Sequence, residues 1–429
     1  MLRIFRANDA EVTRLLDKDN PEIAVLEERV REIVERVRRE GDAALFAFTR
    51  QFDRVEIGPE NVRVTEEEIA RAEEQADDEF LAALETAVHN IRDFHAKQKQ
   101  HSWMEPDERG SILGQICRPL ERVGIYVPGG TAAYPSSVLM NALPAQVAGV
   151  KEIVMVSPPR GDGSLNPFTL LAAKACGVTE IYKVGGAQAV AALAYGTASI
   201  RRVDKITGPG NIYVTLAKKL VYGQVDIDML AGPSEVLVIA DSSANPRYVA
   251  ADLLSQAEHD PMASAVLLTP SRKLAEEVAE EVKRQLELLS RRSIVEAALA
   301  NYSAIVVTGD LAEAFELANR FAPEHLELMV ENPFSWLGRV KNAGAIFIGP
   351  YSPEPVGDYI AGPNHILPTG GTARFYSPVT VDTFMKKSSV IAYSAEGFRA
   401  AAEAVVKLAT VEGLDAHARA VLVRKEEGR

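Results

Sequence analysis

Apolar residues recur at steps of three and four in the first part of the chain, which is the spacing of amphipathic helices. The segment 21–41 carries this pattern and ends at Gly41, a residue type that often terminates helices. A longer helix is predicted from about Thr65, where the sequence TEEE has the form of a capping box, to around His101. The first part of the chain is therefore predicted to be helical.

From Arg122 the pattern changes to short β-branched runs that alternate with helical segments. This alternation predicts parallel strands joined by helices, with more strands than one ordinary doubly wound sheet contains, and ligands at their carboxyl ends. The predicted fold class is α/β, with two Rossmann-like parallel-sheet domains, one inserted in the other, and helical N-terminal and C-terminal extensions. The predicted boundaries are an N-terminal arm over 1–25, a discontinuous α/β domain over 26–121 and 239–378, an inserted α/β domain over 122–238 and a C-terminal helical tail over 379–429.

The composition is that of a globular protein, with 47% apolar and 25% charged residues among 429. The 60 acidic residues exceed the 47 basic ones and give a formal net charge of -13, which disfavours nonspecific binding to nucleic acid or anionic membranes. Small-molecule chemistry is the better expectation. The first residues lack the apolar core of a secretory signal and no run of 18 apolar residues occurs, so a cytoplasmic location is predicted.

The cysteines and the first three histidines offer little chemistry. The two cysteines, Cys117 and Cys176, are too few and too far apart for a disulfide framework, and both lie in apolar segments. We interpret them as buried structural thiols rather than as the nucleophile of an aldehyde-oxidising enzyme. His89, His95 and His101 share a helical segment with charged and polar neighbours, which predicts solvated or interface side chains.

Three glycine-rich turns each follow a predicted strand and lead into a predicted helix, at residues 127–137, 184–190 and 207–211. Free backbone amides at the start of a helix, together with the helix dipole, favour a phosphate group. None of the turns has the GxGxxG spacing, and a single glycine turn is often purely structural. Their occurrence on consecutive strands predicts a crevice for a dinucleotide or a phosphate.

Three stretches offer metal-ligating side chains, at residues 256–259, 357–365 and 412–417. The first is predicted at the end of a helix, which places Gln256 and His259 on one face, although a histidine there also fits a capping role. The second is predicted as a glycine- and proline-rich loop and the third as part of the helical tail. The candidate side chains are Gln256, His259, Asp358, His365, Glu412 and His417. Imidazole, carboxylate and amide ligands suit a divalent ion such as zinc, and the HExxH pattern of zinc hydrolases is absent.

A carboxylate and an imidazole stand side by side in FAPEHLELMV, residues 321–330, immediately before an apolar run. Neighbouring residues at the mouth of a strand point in different directions. Glu324 and His325 could therefore serve two proton transfers at one reaction centre rather than form a hydrogen-bonded dyad. An arbitrary Glu–His pair is more often structural, with a surface carboxylate and a histidine that is satisfied by the backbone.

Seven motifs, in order, resemble those of the histidinol dehydrogenase family, and the resemblance covers nearly the whole chain. The motifs are RVGIYVPGGTAAYPSSVLMNALPAQVAGV, GPGN, DMLAGPSEVLVIAD, LLSQAEHDP, FAPEHLEL, GDYIAGPNHILPTGGTARFYSPVTVDTFMKK and EGLDAHA. None of them departs from the family at a position that the family uses for chemistry.

The resemblance implies the oxidation of L-histidinol to L-histidine through bound histidinaldehyde, with successive hydride transfers to NAD, as the last step of histidine biosynthesis. It also implies a homodimer with one zinc ion per subunit and a shared active site, across which the terminal extensions pack. The inserted domain is then the NAD-binding part, and the discontinuous domain carries the metal and catalytic residues. By resemblance, the zinc ligands are Gln256, His259 and Asp358 from one subunit and His417 from the tail of the other. The implied substrate contacts are Ser234, Gln256, His259, His325, Asp358, Glu412 and His417, and the implied NAD contacts are Tyr126, Gln188 and Asn211.

The resemblance also implies separate roles for Glu324 and His325. Neutral His325 would take the hydroxyl proton as hydride leaves, and Glu324 would activate water to attack the aldehyde. The role of His365 stays open between substrate contact and support of its loop.

Three alternative functions remain. They are a sister zinc- and NAD-dependent dehydrogenase for another small primary alcohol, a catalytically silent zinc-binding homologue and a hydrolase that uses Glu324. Ser234 and Glu412 suit a cationic amine, which counts against the sister dehydrogenase. The intact metal and base residues count against the silent homologue, and the three glycine turns count against the hydrolase.

Overall fold

The computed structural model describes residues 2–16, 23–129 and 133–427. The chain divides into two compact units, one formed by residues 1–98 and 120–384 and the other by residues 99–119 and 385–429. No helix in the described ranges is both long enough and apolar enough to cross a lipid bilayer. The domain boundaries given above stay a prediction.

The described residues form fourteen β-strands and seventeen α-helices. The strands are β1 (Arg3–Arg6), β2 (Trp103–Pro106), β3 (Ile112–Pro119), β4 (Arg122–Tyr126), β5 (Glu152–Val156), β6 (Glu180–Tyr182), β7 (Lys205–Thr207), β8 (Asp226–Ile227), β9 (Glu235–Ala240), β10 (Ser264–Thr269), β11 (Ala304–Val307), β12 (His325–Met329), β13 (Ala345–Ile348) and β14 (Met385–Ala392). The helices are α1 (Ala10–Leu16), α2 (Ile23–Glu40), α3 (Asp42–Asp53), α4 (Glu66–Glu73), α5 (Asp78–Ala96), α6 (Pro135–Ala148), α7 (Pro167–Ala175), α8 (Gly186–Tyr195), α9 (Ile212–Val221), α10 (Pro246–Ala257), α11 (Arg272–Leu286), α12 (Arg292–Asn301), α13 (Leu311–Phe321), α14 (Pro333–Trp336), α15 (Glu354–Tyr359), α16 (Ala395–Val411) and α17 (Asp415–Glu427).

The larger unit contains two wholly parallel sheets. Six strands pair in the order β1-β11-β10-β9-β12-β13, and five pair in the order β6-β5-β4-β7-β8. The central strands β9 and β10 are buried along their whole length, as expected for strands with helices on both faces. The predicted α/β class with two Rossmann-like parallel sheets is confirmed.

The first amphipathic helix packs as its apolar stripe predicts. Val30, Val34 and Val37 of α2 are buried in one core cluster with Val190 of α8 and Val214 of α9. Each such valine contributes roughly 1.5–3 kcal/mol when it is fully buried. Burial of this stripe is therefore what attaches the N-terminal helical segment to the helices that follow β6 and β7.

The helix predicted from Thr65 to around His101 is in fact two helices, α4 and α5. The capping box at Thr65 is present, because its hydroxyl accepts the Glu68 N–H and the Glu68 carboxylate accepts the Thr65 N–H. α4 then ends, and Asp77 begins α5 by accepting the Phe80 N–H at 2.7 Å. A second N-cap aspartate inside the apolar pattern is the sequence signal for this break.

Five strands, β1, β2, β3, β8 and β14, are absent from the sequence prediction. β1 pairs in parallel with β11 and β14 pairs antiparallel with β3, so the partners are far apart in the chain. The second unit consists of the antiparallel sheet β14-β3-β2 and the helices α16 and α17. The helices expected over residues 397–427 are confirmed, whereas residues 385–392 are a strand and not part of a helical tail.

The two thiols differ from each other in burial, and so do the three histidines predicted in one helical segment. Cys176 is buried, which raises the pKa of its thiol to about 12 and confirms a buried, unreactive group. Cys117 is only partly buried, so the prediction of a buried thiol is wrong there.

His89 and His101 are exposed, as predicted. His95 is fully buried and its ring nitrogens contact partners inside the protein, so the prediction of a solvated side chain is wrong.

One buried guanidinium links the first residues of three strands in the five-stranded sheet. Arg122 of β4 donates to Glu152 of β5 at 2.6 Å and to Glu180 of β6 at 2.8 and 3.0 Å. The hydrogen bonds from Arg122 are the main reason that the pKa of Glu180 is lowered to about 2. The charged group therefore stabilises the amino end of this sheet.

Replacement of Arg122 by methionine is expected to destabilise the protein by about 3 kcal/mol at neutral pH, because two glutamates lose a shared, buried cation. A carboxylate with a lowered pKa contributes stability above its ordinary pKa of 4.5 and loses that contribution as the pH falls toward 2. The stability difference between wild type and variant should therefore shrink over that range in urea unfolding. Arg201→Met removes an exposed partner of Glu152 and is the control, with an expected cost below about 1 kcal/mol. A difference that stays constant at low pH would contradict this account.

Candidate active site

The Glu324–His325 pair lies at the amino end of a central strand of the six-stranded sheet. His325 is the first residue of β12 and pairs with Val236 of β9 on one side and Ala345 of β13 on the other. Glu324 and His325 are 6% and 3% exposed. Glu324 immediately precedes β12 and His325 begins it, so this pair lies at the opposite end of the strand from the carboxyl end, where the general rule expects ligands.

One peptide segment holds both side chains. The backbone N–H of Glu235 donates to Glu324 Oε2 at 2.8 Å, and His325 Nδ1 lies 2.9 Å from the Glu235 carbonyl oxygen. A carbonyl only accepts, so Nδ1 carries the proton and Nε2 keeps a lone pair. Glu324 Oε2 and His325 Nδ1 are 3.7 Å apart, and each is bound to the Glu235 backbone instead. The two groups are therefore held separately and do not form a hydrogen-bonded dyad.

Burial shifts the pKa values of the two groups in opposite directions. It lowers the pKa of His325 to about 4, although the Asp358 carboxylate opposes this shift. It raises the pKa of Glu324 well above its usual range, and the carboxylates of Glu235 and Glu354 add to the effect. The lone pair of the neutral imidazole can accept a proton, and Glu324 can accept one when its carboxyl group is ionised.

His325 Nε2 faces a cluster of three potential metal ligands. It lies 4.0 Å from Glu354 Oε1 and 3.9 Å from Asp358 Oδ1. The ligand atoms of His259, Glu354 and Asp358 all lie within 4.8 Å of one another. Within the described part of the chain, no hydrogen-bond partner contacts His325 Nε2. Its lone pair is therefore available to a substrate bound beside this cluster.

Asp358 lies on a short helix, so the prediction that places it in a loop is wrong. α15 begins at Glu354, and Asp358 follows one turn later on the same face. Glu354 is only 2% exposed and is absent from the residues predicted from the sequence. The four-residue spacing of the two acids is the signal that could reveal it. The prolines and the glycine around them weaken any helix prediction there.

Gln256 and His259 come from the end of α10. Gln256 lies in the last turn, and His259 follows the C-cap and donates its backbone N–H to the Gln256 carbonyl. The Gln256 side chain is fully buried, yet neither its oxygen nor its nitrogen has a hydrogen-bond partner among the described residues. A buried amide without partners is costly unless a bound group satisfies it. An amide oxygen, an imidazole and carboxylates form a donor set that fits a divalent ion such as zinc.

Ser234 and His365 adjoin these elements. Ser234 is partly buried and immediately precedes β9, next to the Glu235 peptide. His365 Nδ1 lies 3.1 Å from the Asp358 carbonyl oxygen. This bond ties the loop that carries His365 to α15 and supports the loop-holding role rather than a purely substrate-binding one.

The predicted NAD contacts lie at the carboxyl edge of the five-stranded sheet. Tyr126 ends β4, Gln188 lies in the first turn of α8 after β6, and Asn211 caps α9 after β7. The Tyr126 hydroxyl accepts the Gly186 N–H at 3.0 Å, and the buried Gln188 Oε1 has no partner in the described ranges. A Cβ at Gly208 would lie 2.1 Å from the Tyr126 carbonyl oxygen, so this turn requires glycine. The turns fit a dinucleotide, although residues 130–132 of the first one lie outside the described residues.

Glu412 and His417 belong to the second unit. Glu412 is the C-cap of α16, His417 lies in the first turn of α17, and both are exposed within that unit. The other predicted site residues belong to the larger unit. There the structure brings His259, Asp358 and His325 into one cluster.

The sequence profile of the histidinol dehydrogenase family matches residues 16–425. The chain belongs to the histidinol dehydrogenase family. The histidinol dehydrogenase of Moorella thermoacetica is 63% identical over 93% of this chain and 94% of its own length, and that of Heliobacterium mobile is 59% identical over 100% of both. The crystal structure of histidinol dehydrogenase from Elizabethkingia anophelis matches with a TM-score of 0.93 and 39% identity, covering 99% of this chain and 98% of that chain. The resemblance drawn from the seven motifs is confirmed.

Proposed function

We propose that the protein catalyses the zinc-dependent, NAD-linked four-electron oxidation of L-histidinol to L-histidine through bound histidinaldehyde, the last step of histidine biosynthesis. The observation that carries the proposal is the unprotonated His325 Nε2, which faces the His259–Glu354–Asp358 cluster beside Glu324. The oxidation of an alcohol to an acid needs a proton acceptor in each of two steps. Glu324 and His325 would be the two acceptors at this site. The names of relatives at 59% and 63% identity support histidinol as the substrate.

The metal and the substrate would share one set of side chains. The proposed zinc ligands are Gln256, His259, Asp358 and His417 of the partner subunit. Bound zinc would accept electron pairs from the imidazole and amine of histidinol and so fix the orientation of the substrate. Glu354 adds a buried carboxylate beside the ligands, which favours a divalent cation at this position. The proposed substrate contacts are Ser234, His325 and Glu412 in addition to the zinc ligands.

His325 would take the hydroxyl proton in the first step. Its Nδ1–H is bound to the Glu235 carbonyl, so Nε2 is the nitrogen that accepts. Burial lowers the pKa of the ring to about 4, which keeps the lone pair present at neutral pH. The O–H proton would move to Nε2 while the carbon that bears the hydroxyl loses a hydride, for which bound NAD would be the acceptor. The C–O bond would then become the C=O bond of the bound aldehyde.

Glu324 would take a proton from water in the second step. The hydroxide left by that water would add to the aldehyde carbon and give the anion of the hydrate. Loss of the second hydride from this carbon, for which bound NAD would be the acceptor, would leave the carboxylic acid. The raised pKa makes Glu324 a stronger base than an ordinary carboxylate once it is ionised. Because the two groups are held separately, a proton on His325 does not occupy this second acceptor.

Tyr126, Gln188 and Asn211 would contact NAD at the carboxyl edge of the five-stranded sheet. When bound, NAD supplies the hydride acceptor for both steps. The unpartnered oxygen of Gln188 and the glycine-only turn at Gly208 support this placement.

We further propose that the protein acts as a cytoplasmic homodimer in which each active site takes residues from both subunits. His417 and Glu412 are exposed within the second unit, which leaves their side chains free to contribute to a partner's site. A net charge of -13 disfavours nucleic acid and anionic membranes as partners.

The proposed activity predicts that two NADH form for each L-histidinol consumed, and that metal removal abolishes the reaction. NADH absorbance is followed before chelation, after chelation and after zinc is restored. We expect a loss of at least about a hundredfold on chelation and recovery with zinc. Other small primary alcohols serve as the comparison. A higher kcat/KM for one of them would favour the sister dehydrogenase, and zinc binding without NADH from any alcohol would favour the silent homologue.

A further inference from the structure

Two carboxyl groups that the proposed mechanism does not use are buried beside the metal-site elements. Asp252 lies on α10, one turn before Gln256, and is 6% exposed. Glu327 lies on β12, two residues after His325, and is 1% exposed. The two groups are close enough for each to influence the pKa of the other's carboxyl. An ionised carboxylate only accepts, so a direct hydrogen bond between them would require one shared proton.

Glu327 also holds the start of α15. Its Oε1 accepts the backbone N–H of Glu354 at 3.0 Å. α15 has six residues, and Pro353 at its N-cap provides no side-chain hydrogen bond. A helix of this length does not persist alone, and its first N–H groups need acceptors. Glu327 therefore supplies the cap that α15 lacks, one turn before Asp358.

Glu327 thus links β12 to α15, and its carboxyl group adjoins that of Asp252 on α10. Ser255 links α10 to α15, because its Oγ lies 3.3 Å from Glu354 Oε2. These three elements carry the proposed zinc site. We propose that Asp252 and Glu327 are positioning residues that hold α10, β12 and α15 in the arrangement required for zinc binding. This inference rests on the proposed zinc site.

Amide and apolar variants of Glu327 distinguish a positioning role, which depends on polar contacts, from a role in packing alone. Glu327→Gln keeps both contacts, because the amide oxygen accepts the Glu354 N–H and the amide nitrogen donates to Asp252 without a shared proton. Glu327→Leu is of similar size and removes both contacts. We expect the leucine variant to bind zinc about 10–100-fold more weakly and the glutamine variant to stay within about threefold of wild type. Zinc affinity is measured on the full-length protein by competition with a chromophoric chelator.

Leu328→Ala is the matched control. Leu328 is on the same strand and fully buried, but it packs in an apolar cluster that contains none of the proposed site residues. Its truncation should lower thermal stability and leave zinc affinity unchanged. Wild-type zinc affinity in Glu327→Leu, or an equal loss in Leu328→Ala, would overturn the positioning role and leave the proposed function intact. Failure of the wild-type protein to bind zinc would overturn the proposed metal site and the inference with it.

Asp252 provides the same comparison if Glu327→Leu does not fold. Asp252→Asn keeps a donor toward Glu327, whereas Asp252→Ala removes the link to α10 and leaves the cap on α15. We expect zinc affinity near that of wild type for the asparagine variant and a loss of about tenfold for the alanine variant. Equal affinities in the two variants would overturn the proposal.

Discussion

Replacement of His325 by asparagine is expected to slow the oxidation of L-histidinol by about a thousandfold, because the amide cannot accept the hydroxyl proton that must leave with the first hydride. The same variant should lose much less when histidinaldehyde is supplied, because the first proton transfer has then already taken place. Glu324→Gln should show the opposite pattern, with its main loss in the conversion of the aldehyde. The measurement is kcat/KM for each starting substrate, with NADH as the readout.

The isosteric glutamine retains an oxygen that accepts the Glu235 N–H, so Glu324→Gln tests the base and not the fold. Glu331→Gln is the matched control, since Glu331 is an exposed carboxylate just beyond the same strand, and it should leave both rates unchanged. Zinc content is measured in each variant, so that a loss of activity caused by loss of the metal can be distinguished from one caused by loss of the base. Equal losses in both half-reactions for both active-site variants would contradict the division of labour.

The Glu235 peptide explains why two adjacent residues can do separate work. Its N–H binds the carboxylate of Glu324 and its carbonyl binds the imidazole of His325, so neither side chain neutralises the other. The sequence shows only that the two residues are neighbours. A backbone group of a strand that lies 89 and 90 positions earlier in the chain fixes their orientation. No local pattern contains that information.

Residues with a distinctive local setting could be predicted from the sequence. Gln256 and His259 stand at the end of a well-patterned helix, and α10 ends there in the structure. Glu354 could not be predicted with the same ease, because prolines and glycine surround it and its helix depends on a cap from Glu327 in another element. His95 has polar neighbours in sequence but is buried by tertiary contacts.

The same distinction holds for the fold. The parallel strands from β4 onward alternate with helices at short range, so their periodicity is visible in the sequence. β1 and β14 become strands only by pairing with β11 and β3, which are remote in the chain. The general rule also does not predict that Glu324 and His325 lie at the amino end of their strand, because it describes ligands held by loops that follow strands.

His259→Ala and His417→Ala, each alone, are expected to lose at least about a hundredfold in activity, because each removes a proposed zinc ligand. If His417 serves the partner's site, a mixed dimer of the two variants contains one intact site. Random exchange of subunits makes half of the dimers mixed, so the mixture should recover about a quarter of wild-type activity. NADH formation and zinc content are measured before and after subunit exchange.

The control for this complementation is a mixture of His259→Ala with Asp358→Ala. Both residues belong to the cluster of one chain, so every site in that mixture lacks one ligand and no activity should return. Recovery in the control mixture would show that exchange itself alters activity. Recovery in neither mixture, with exchange verified by mass, would place His417 in the site of its own subunit or outside the metal site altogether. Recovery confined to the His259–His417 mixture would exclude a site contained within a single subunit. In that arrangement every subunit of the mixture lacks either His259 or His417, so no site is intact.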